Sequence, residues 1–277
     1  MGQNDLQLKG LKTNEVAVAV AQIFALIASG LVAGVLAGLL GIGGGTVMVP
    51  ILLALGYDPL QSVATSSLAI IVTSLSGSWQ NWRMGYLDFR RVLWLGLPAI
   101  ATAQLGVVAA NYLPPRLLLI AFAGLLALNI YLVTLRKKLA RQGSAEDAPP
   151  QEMNPAVARV VTGAIAGLMA GLLGVGDGVI MVPLQMALLK EPIKLAIQTS
   201  LGVVVLTAIA STLGHATQGN VVWVAGLLLG GGGLVSAQLS SRTLPKLPDQ
   251  WVSLLFRSLL MVLIVYTLWQ AWQYSAS

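Results

Sequence analysis

Cysteine is absent from the 277 residues, and there is a single histidine, His215. The first absence excludes disulfides, thiolate metal centres and cysteine nucleophiles. The second excludes a multi-histidine metal site, which leaves only carboxylate or carbonyl coordination of a hard cation. Charge is scarce as well, at 9% of residues, and aromatic side chains make up 6%. Against these shortages, 56% of the chain is hydrophobic and mean hydropathy is +0.81. A water-soluble globule of this length needs more polar surface than that, so composition predicts an integral membrane protein in contact with the lipid bilayer. The formal charge of +6 sits in short loops between apolar runs, where orientation determinants lie, and does not point to nucleic acid.

Two stretches are near copies: 34–50 and 167–183 match at a constant offset of 133, pairing Gly38 with Gly171, Gly41 with Gly174, Gly43 with Gly176, Gly45 with Gly178 and Pro50 with Pro183. The chain then divides into a polar segment 1–16, a first transmembrane repeat 17–135, a linker 136–156 and a second transmembrane repeat 157–273. The first apolar run continues past Gly38, longer than a signal-peptide core, and reads as a retained membrane helix. Each repeat shows the same order of runs: 17–40, a short 47–55, 60–79, 92–110 and 117–135, against 157–173, a short 179–189, 195–213, 221–239 and 251–272.

The short runs decide the topology, because a span needs about 20 apolar residues and they offer roughly half of that. If they do not cross, the two repeats point the same way; if they do, the second repeat is inverted. Inversion collects Arg83, Arg90, Arg91, the linker cluster Arg136, Lys137, Lys138 and Arg141, then Arg159, Lys190, Lys194, Arg242 and Lys246 on one side, leaving only Lys9, Lys12 and Arg116 on the other. The positive-inside rule therefore favours inversion with a cytoplasmic linker. The expected fold class is an all-α polytopic membrane protein of two homologous, inverted repeats, each with a glycine-broken helix and together about 8–10 membrane segments.

In Gly41, Ile42, Gly43, Gly44, Gly45 the loss of β-carbons makes an uninterrupted helix costly, at about 1 kcal/mol per glycine. The chain is expected to unwind there and to restart with Pro50 in the first helical turn. Unwound backbone at membrane depth has to be buried in protein or line a cavity, and a restarted helix presents free N–H groups with a partial positive charge, suited to an anion. Gly34, Gly38 and Gly41 read as a close-packing face. Gly43, Gly44 and Gly45, with Gly176 and Gly178, are the substrate-facing candidates. No Lys-Ser/Thr pair follows, which argues against a nucleotide loop.

Beyond each short run comes a hydroxyl-rich helix. Its opening segments, Thr65, Ser66, Ser67 and Gln198, Thr199, Ser200, are the nearest polar groups to the glycines. At the offset of 133, Ser67, Ser74 and Ser78 align with Ser200, Thr207 and Ser211, each trio on one helical face. His215 extends the second face, and at its place the first repeat has Trp82 with Asn81 beside it. Hydroxyls donating into a cavity suit a small oxyanion; hydroxyls bonding their own carbonyls or a neighbouring helix explain the stripe equally well. Gln104 and Gln238, inside the fourth run of each repeat, are pathway or interhelical candidates on the same terms.

At these residues the chain resembles the TauE/SafE family of membrane permeases, through Gly38 to Pro50 with Ala64 to Leu68, and Gly171 to Pro183 with Thr199 to Leu201, His215 and Gly219. The resemblance implies a permease for small sulfur oxyanions and organosulfonates such as sulfite and sulfoacetate. One departure is Asp177, a carboxylate where the family carries a run of glycines. It could carry a coupling proton, bind a cation, or sit at a wet helix start. The expectation is a secondary transporter of a small inorganic or organic anion in the cytoplasmic membrane, not an enzyme and without cofactor, metal or catalytic residue. It would work by alternating access between the repeats, with Asp177 and His215 as proton-coupling candidates. An anion channel or structural membrane subunit is the alternative, an intramembrane enzyme a weaker one, and a homodimer is left open.

Overall fold

The structure, a computed structural model, describes residues 3–41, 43–142, 154–176, 178–243 and 249–276. Asp177, Lys246 and the 143–153 stretch of the linker lie outside the described residues. Ten helices follow one another with no strand among the described residues: α1 (Gln3–Leu40), α2 (Gly45–Ala54), α3 (Pro59–Arg83), α4 (Phe89–Tyr112), α5 (Pro115–Gln142), α6 (Pro155–Leu173), α7 (Gly178–Leu188), α8 (Ile193–Thr217), α9 (Trp223–Thr243) and α10 (Asp249–Ala276). Six helices are long and apolar enough to cross a membrane by length and composition, within α1, α3, α4, α6, α8 and α9. The all-α polytopic class read from the sequence is thus the one observed.

Two expected boundaries differ. α5 continues through Arg136–Gln142, the first part of the segment read as linker. The helix-forming Arg, Lys, Leu and Ala there favour continuation, and cations are welcome at a helix C-terminus. α2 restarts at Gly45, not at Pro50, which is its sixth residue. Gly44 caps that start in the left-handed region at φ 87°, which frees the chain to turn before the proline is reached. Pro183 likewise sits inside α7.

Glycine contacts fix how the helices run. A β-carbon on Gly30 would meet the carbonyl of Leu229 at 2.0 Å, on Gly34 that of Gly233 at 2.4 Å, and on Gly38 that of Ala237 at 2.5 Å. α1 and α9 are therefore parallel and packed backbone to backbone, as small residues four apart permit. Gly163, Gly167 and Gly171 of α6 meet the carbonyls of Leu95, Ala99 and Ala103 of α4 at 2.1, 2.1 and 2.0 Å, which makes that pair parallel too. Gly226 and Gly230 of α9 lie against Thr65 and Ala69 of α3, again in parallel. Gly96 against Leu206, and Gln104 bonded to Ala210, set α4 parallel to α8. α3 and α8 cross antiparallel, since Ser67 meets Ser211 while Gly77 meets Leu201.

It follows that α1, α3 and α9 run one way and α4, α6 and α8 the other, so α6, α8 and α9 run opposite to α1, α3 and α4 respectively. Because α1 and α3 are parallel, the stretch between them has to bring the chain back. Gly43 and Gly45 touch Ile70, midway along α3, and ten residues of helix cover about 15 Å, half of a hydrocarbon core of roughly 30 Å. α2 accordingly returns from mid-depth to one end, which is how a helix too short to span accommodates opposed halves.

The opposed directions bring Arg83, Arg90, Arg91, Arg159, Lys190, Lys194 and Arg242 to one end, called here the basic end. There Arg91 pairs with Asp88 at 3.1 Å and with Glu191 of the α7–α8 loop at 3.3 Å. Burial raises the Glu191 carboxyl above its ordinary value, more than Arg91 and Arg159 lower it. At the opposite end the corresponding tie is neutral: Asn220 donates to Asn111 at 2.8 Å.

Candidate functional site

The two glycine breaks meet at the centre of the bundle. A β-carbon on Gly43 would lie 2.8 Å from both Ile70 Cγ2 and Val204 Cγ1, and one on Gly45 would lie 2.6 Å from the carbonyl oxygen of Gly174. Gly43, Gly44, Gly45, Gly176 and Gly178 are all buried. Gly41, Gly43 and Gly44 have φ of 69°, 69° and 87°, and Gly174 and Gly176 have 61° and 75°. Only glycine adopts this left-handed backbone at little cost, and only glycine fits.

Unwinding leaves carbonyls without helical partners, and the hydroxyl-rich helices supply the donors. Ser200 Oγ donates to the Gly41 carbonyl at 3.0 Å, and Ser66 Oγ donates to the Gly174 carbonyl at 2.7 Å. The bonds are reciprocal, each half closing the break of the other. Thr73 Oγ1 adds a bond to the Gly43 carbonyl at 2.8 Å. Thr207 instead donates to Val203 and Val204 on its own helix, both at 3.2 Å.

These bonds correct the alignment read from the sequence. Ser66, not Ser67, corresponds to Ser200, and Thr73, not Ser74, to Thr207. α1 and α6 end at an offset of 133, as α2 and α7 begin, but α3 and α8 begin at 134, as do α4 and α9. α2 has 10 residues and α7 has 11, so the additional residue is absorbed in the short helix. His215 is consequently matched by Asn81, not Trp82. Asn81 is 2% exposed while Trp82 is 48% exposed.

The other candidates fall into two groups. In the first, a protein partner is already engaged. Ser67 and Ser211 share a bond at 3.2 Å across α3 and α8. Ser74 donates to the Ile70 carbonyl. Thr65 Oγ1 accepts the backbone N–H of Val222 at 3.1 Å. Gln104 Nε2 bridges to the Ala210 carbonyl at 2.6 Å. In the second group a buried polar atom has no partner among the described residues: Ser78 Oγ, Asn81 Oδ1, Thr199 Oγ1 and His215 Nδ1. Gln198 is buried and Gln238 half-buried. His215 Nε2 lies 3.1 Å from the Gly171 carbonyl, in the last turn of α6 before the second break. A carbonyl accepts only, so that nitrogen donates and Nδ1 is left as an acceptor.

Besides Thr73, which bonds the Gly43 carbonyl, two residues of the short helices escaped the sequence reading. Thr46, in the first turn of α2, is fully buried with Oγ1 unpartnered among the described residues. Gln185 of α7 is fully buried; its Nε2 reaches the Ala196 carbonyl at 3.5 Å and its Oε1 has no partner among the described residues. The available signal was a single polar residue in each of two short and otherwise apolar helices. Two cavities lie apart from the breaks. One of about 400 Å³ is lined mostly by apolar groups between Trp79, Trp82 and Leu206, and one of about 350 Å³ sits among the arginines of the basic end.

Comparison with known proteins finds relatives among membrane transporters. Probable membrane transporter YunE of Bacillus subtilis is 26% identical over 258 residues, covering 86% of this chain and 94% of the relative. Probable membrane transporter YjnA of the same organism is 27% identical over 239 residues, covering 82% and 93%. A probable membrane transporter of Xylella fastidiosa strain 9a5c is 27% identical over 257 residues, covering 89% and 95%. No solved structure matches the chain. A family profile described as sulfite exporter TauE/SafE matches residues 26–267, which places the glycine breaks and all eight central helices inside the match: the chain belongs to the TauE/SafE family.

Proposed function

We propose that the protein is a secondary transporter that carries a small oxyanion, of the sulfite or organosulfonate class, across the cytoplasmic membrane by alternating access between two inverted repeats. The observation that carries this reading is the reciprocal closure of two mid-depth helix breaks, Ser66 on Gly174 and Ser200 on Gly41. Broken helices at the interface of opposed halves are where transporters bind substrate. The first turn of α2 offers backbone N–H groups that lack intrahelical acceptors, together with the Thr46 hydroxyl. An anion entering there would find donors and the positive end of a helix dipole.

In this reading the closely packed breaks form an occluded arrangement. The reciprocal bonds are made and released as the halves rock, so each hydroxyl alternates between a glycine carbonyl and the anion. Substrate then substitutes for a bond that opening removes. His215 Nδ1, buried as an acceptor beside the second break, is positioned to take the coupling proton, and protonation would turn it into a second donor. Asp177, outside the described residues, remains a second coupling candidate, and the basic end is taken as cytoplasmic with the linker on that side.

The test is uptake of sulfite, sulfoacetate and sulfate by proteoliposomes of known orientation. Saturable flux that falls at least tenfold in Thr46→Val, with retained folding, supports the reading. Flux that does not saturate would make the protein a channel, and no flux of any anion would overturn the proposal.

A further inference from the structure

We propose that the basic end carries a binding site for the phosphate of a membrane phospholipid. The cavity of about 350 Å³ opens between the first turns of α4 and α6 and is lined by Asp88, Arg90, Arg91, Trp94, Ala156 and Arg159. Three guanidinium groups face one carboxylate in that lining. The close ion pairs of Asp88 and Glu191 are with Arg91, at 3.1 and 3.3 Å, and Glu191 also feels the charge of Arg159. Among the described residues Arg90 and Arg159 form no ion pair, and Nε of Arg159 is buried without a hydrogen-bond partner. A buried donor left unmet is costly. A phosphate oxygen supplies the acceptor it lacks, and the planar fork of arginine suits a phosphate better than any other cation.

The backbone adds to the same field. α4 and α6 are parallel, so both present their N-terminal turns to this cavity, with the partial positive charge of each. Asp88 caps Arg90 and Arg91, and Asn154 caps Ala156, so these turns are fixed in place rather than frayed.

A free oxyanion has the same charge, but the surroundings favour a lipid. Trp94 stands 47% exposed at the rim, an indole where the headgroup layer would lie. Leu97 of α4, with Val157 and Val160 of α6, is exposed on the same two helices, and these residues continue the site toward the bilayer as an apolar surface for acyl chains. A phosphate held by the arginines with its chains against these residues satisfies both halves of the site. Basic pockets between membrane helices bind headgroups in this way. The site lies apart from the glycine breaks and does not depend on what is transported.

Native mass spectrometry of the full chain, stripped of lipid and titrated with phosphatidylglycerol, tests it. Arg90→Gln and Arg159→Gln are each expected to weaken binding about fivefold, with Arg159→Lys in between, while Arg116→Gln at the opposite end leaves it unchanged. Thermal unfolding without lipid establishes that each variant is folded. Should Arg159→Gln fail that check, Arg90→Gln, whose side chain is exposed, carries the test. Undiminished binding in the arginine variants overturns the site. Thermal protection by inorganic phosphate equal to that by phosphatidylglycerol overturns the lipid as its source.

Discussion

Among the described residues, the first glycine break is held by two hydroxyls and the second by one. Gly41 and Gly43 receive bonds from Ser200 and Thr73, whereas Gly174 receives one from Ser66 and the counterpart of Thr73, Thr207, turns back onto its own helix. The residues beyond differ too, with Asn81 beside the first half and His215, bonded to Gly171, beside the second. Similar backbones therefore sit in unequal supports. Among the described residues the second break has fewer ties, and it has a titratable neighbour.

The largest effect is expected at the glycines themselves. Gly174→Ala would place its methyl 2.3 Å from the Val63 carbonyl, whereas Gly41→Ala meets the Ile197 carbonyl at 2.8 Å, both at positive φ. Gly174→Ala should cost about 3 kcal/mol or more, and Gly41→Ala less. Thermal unfolding in detergent ranks them, and the reverse order would break the account of how the halves meet.

Next come the hydroxyls. Thr73→Val leaves a buried glycine carbonyl unmet and should cost about 1–3 kcal/mol, while Thr207→Val, which loses only bonds within its helix and orphans no carbonyl, should cost less, about 1 kcal/mol or below. Equal losses would erase the difference between the breaks. A third measurement exchanges the flanking residues. If His215 takes the coupling proton, His215→Asn should flatten the pH dependence of uptake at least severalfold without a comparable loss of folding. A pH profile unchanged by that substitution would remove the histidine from coupling.

The smallest effect belongs to the basic end. Because the Glu191 carboxyl is raised above its ordinary 4.5, the folded state holds its proton more tightly than the unfolded one. Its contribution is therefore fully present below about 4.5 and is lost as pH rises through the folded value. Glu191→Gln should remove that slope from a plot of unfolding temperature against pH, and a slope retained in the variant would assign it to another group.

Much of this was legible in the sequence. Apolar run lengths gave the ten helices because a membrane leaves no other way to satisfy the backbone, and the scatter of basic residues anticipated which loops share an end. The glycine clusters marked the breaks because no other residue tolerates that backbone. What misled was register. After Pro50 α2 is apolar, and after Pro183 α7 carries Gln185 alone among apolar residues, so residue type does not place the additional residue within α7. The residues of the third run were consequently paired one place out, Ser67 for Ser66, Ser74 for Thr73 and Trp82 for Asn81. Nor could residue type distinguish Thr73, which reaches another segment, from Thr207, which does not. That depends on which carbonyl happens to be orphaned nearby, and so on tertiary structure.

The reciprocal bonding has a further consequence for biogenesis. α1 packs along α9, and the first break is closed by Ser200, 159 positions downstream of Gly41. As the chain leaves the ribosome, the first half is complete in length, with Thr73 available to Gly43, while the Gly41 carbonyl still lacks its donor. It must wait in the membrane until the second half has been inserted in the opposite sense. Contacts of such long sequence separation make assembly slow. A chain that stops between the halves leaves the Gly41 carbonyl without the hydroxyl that the finished protein supplies.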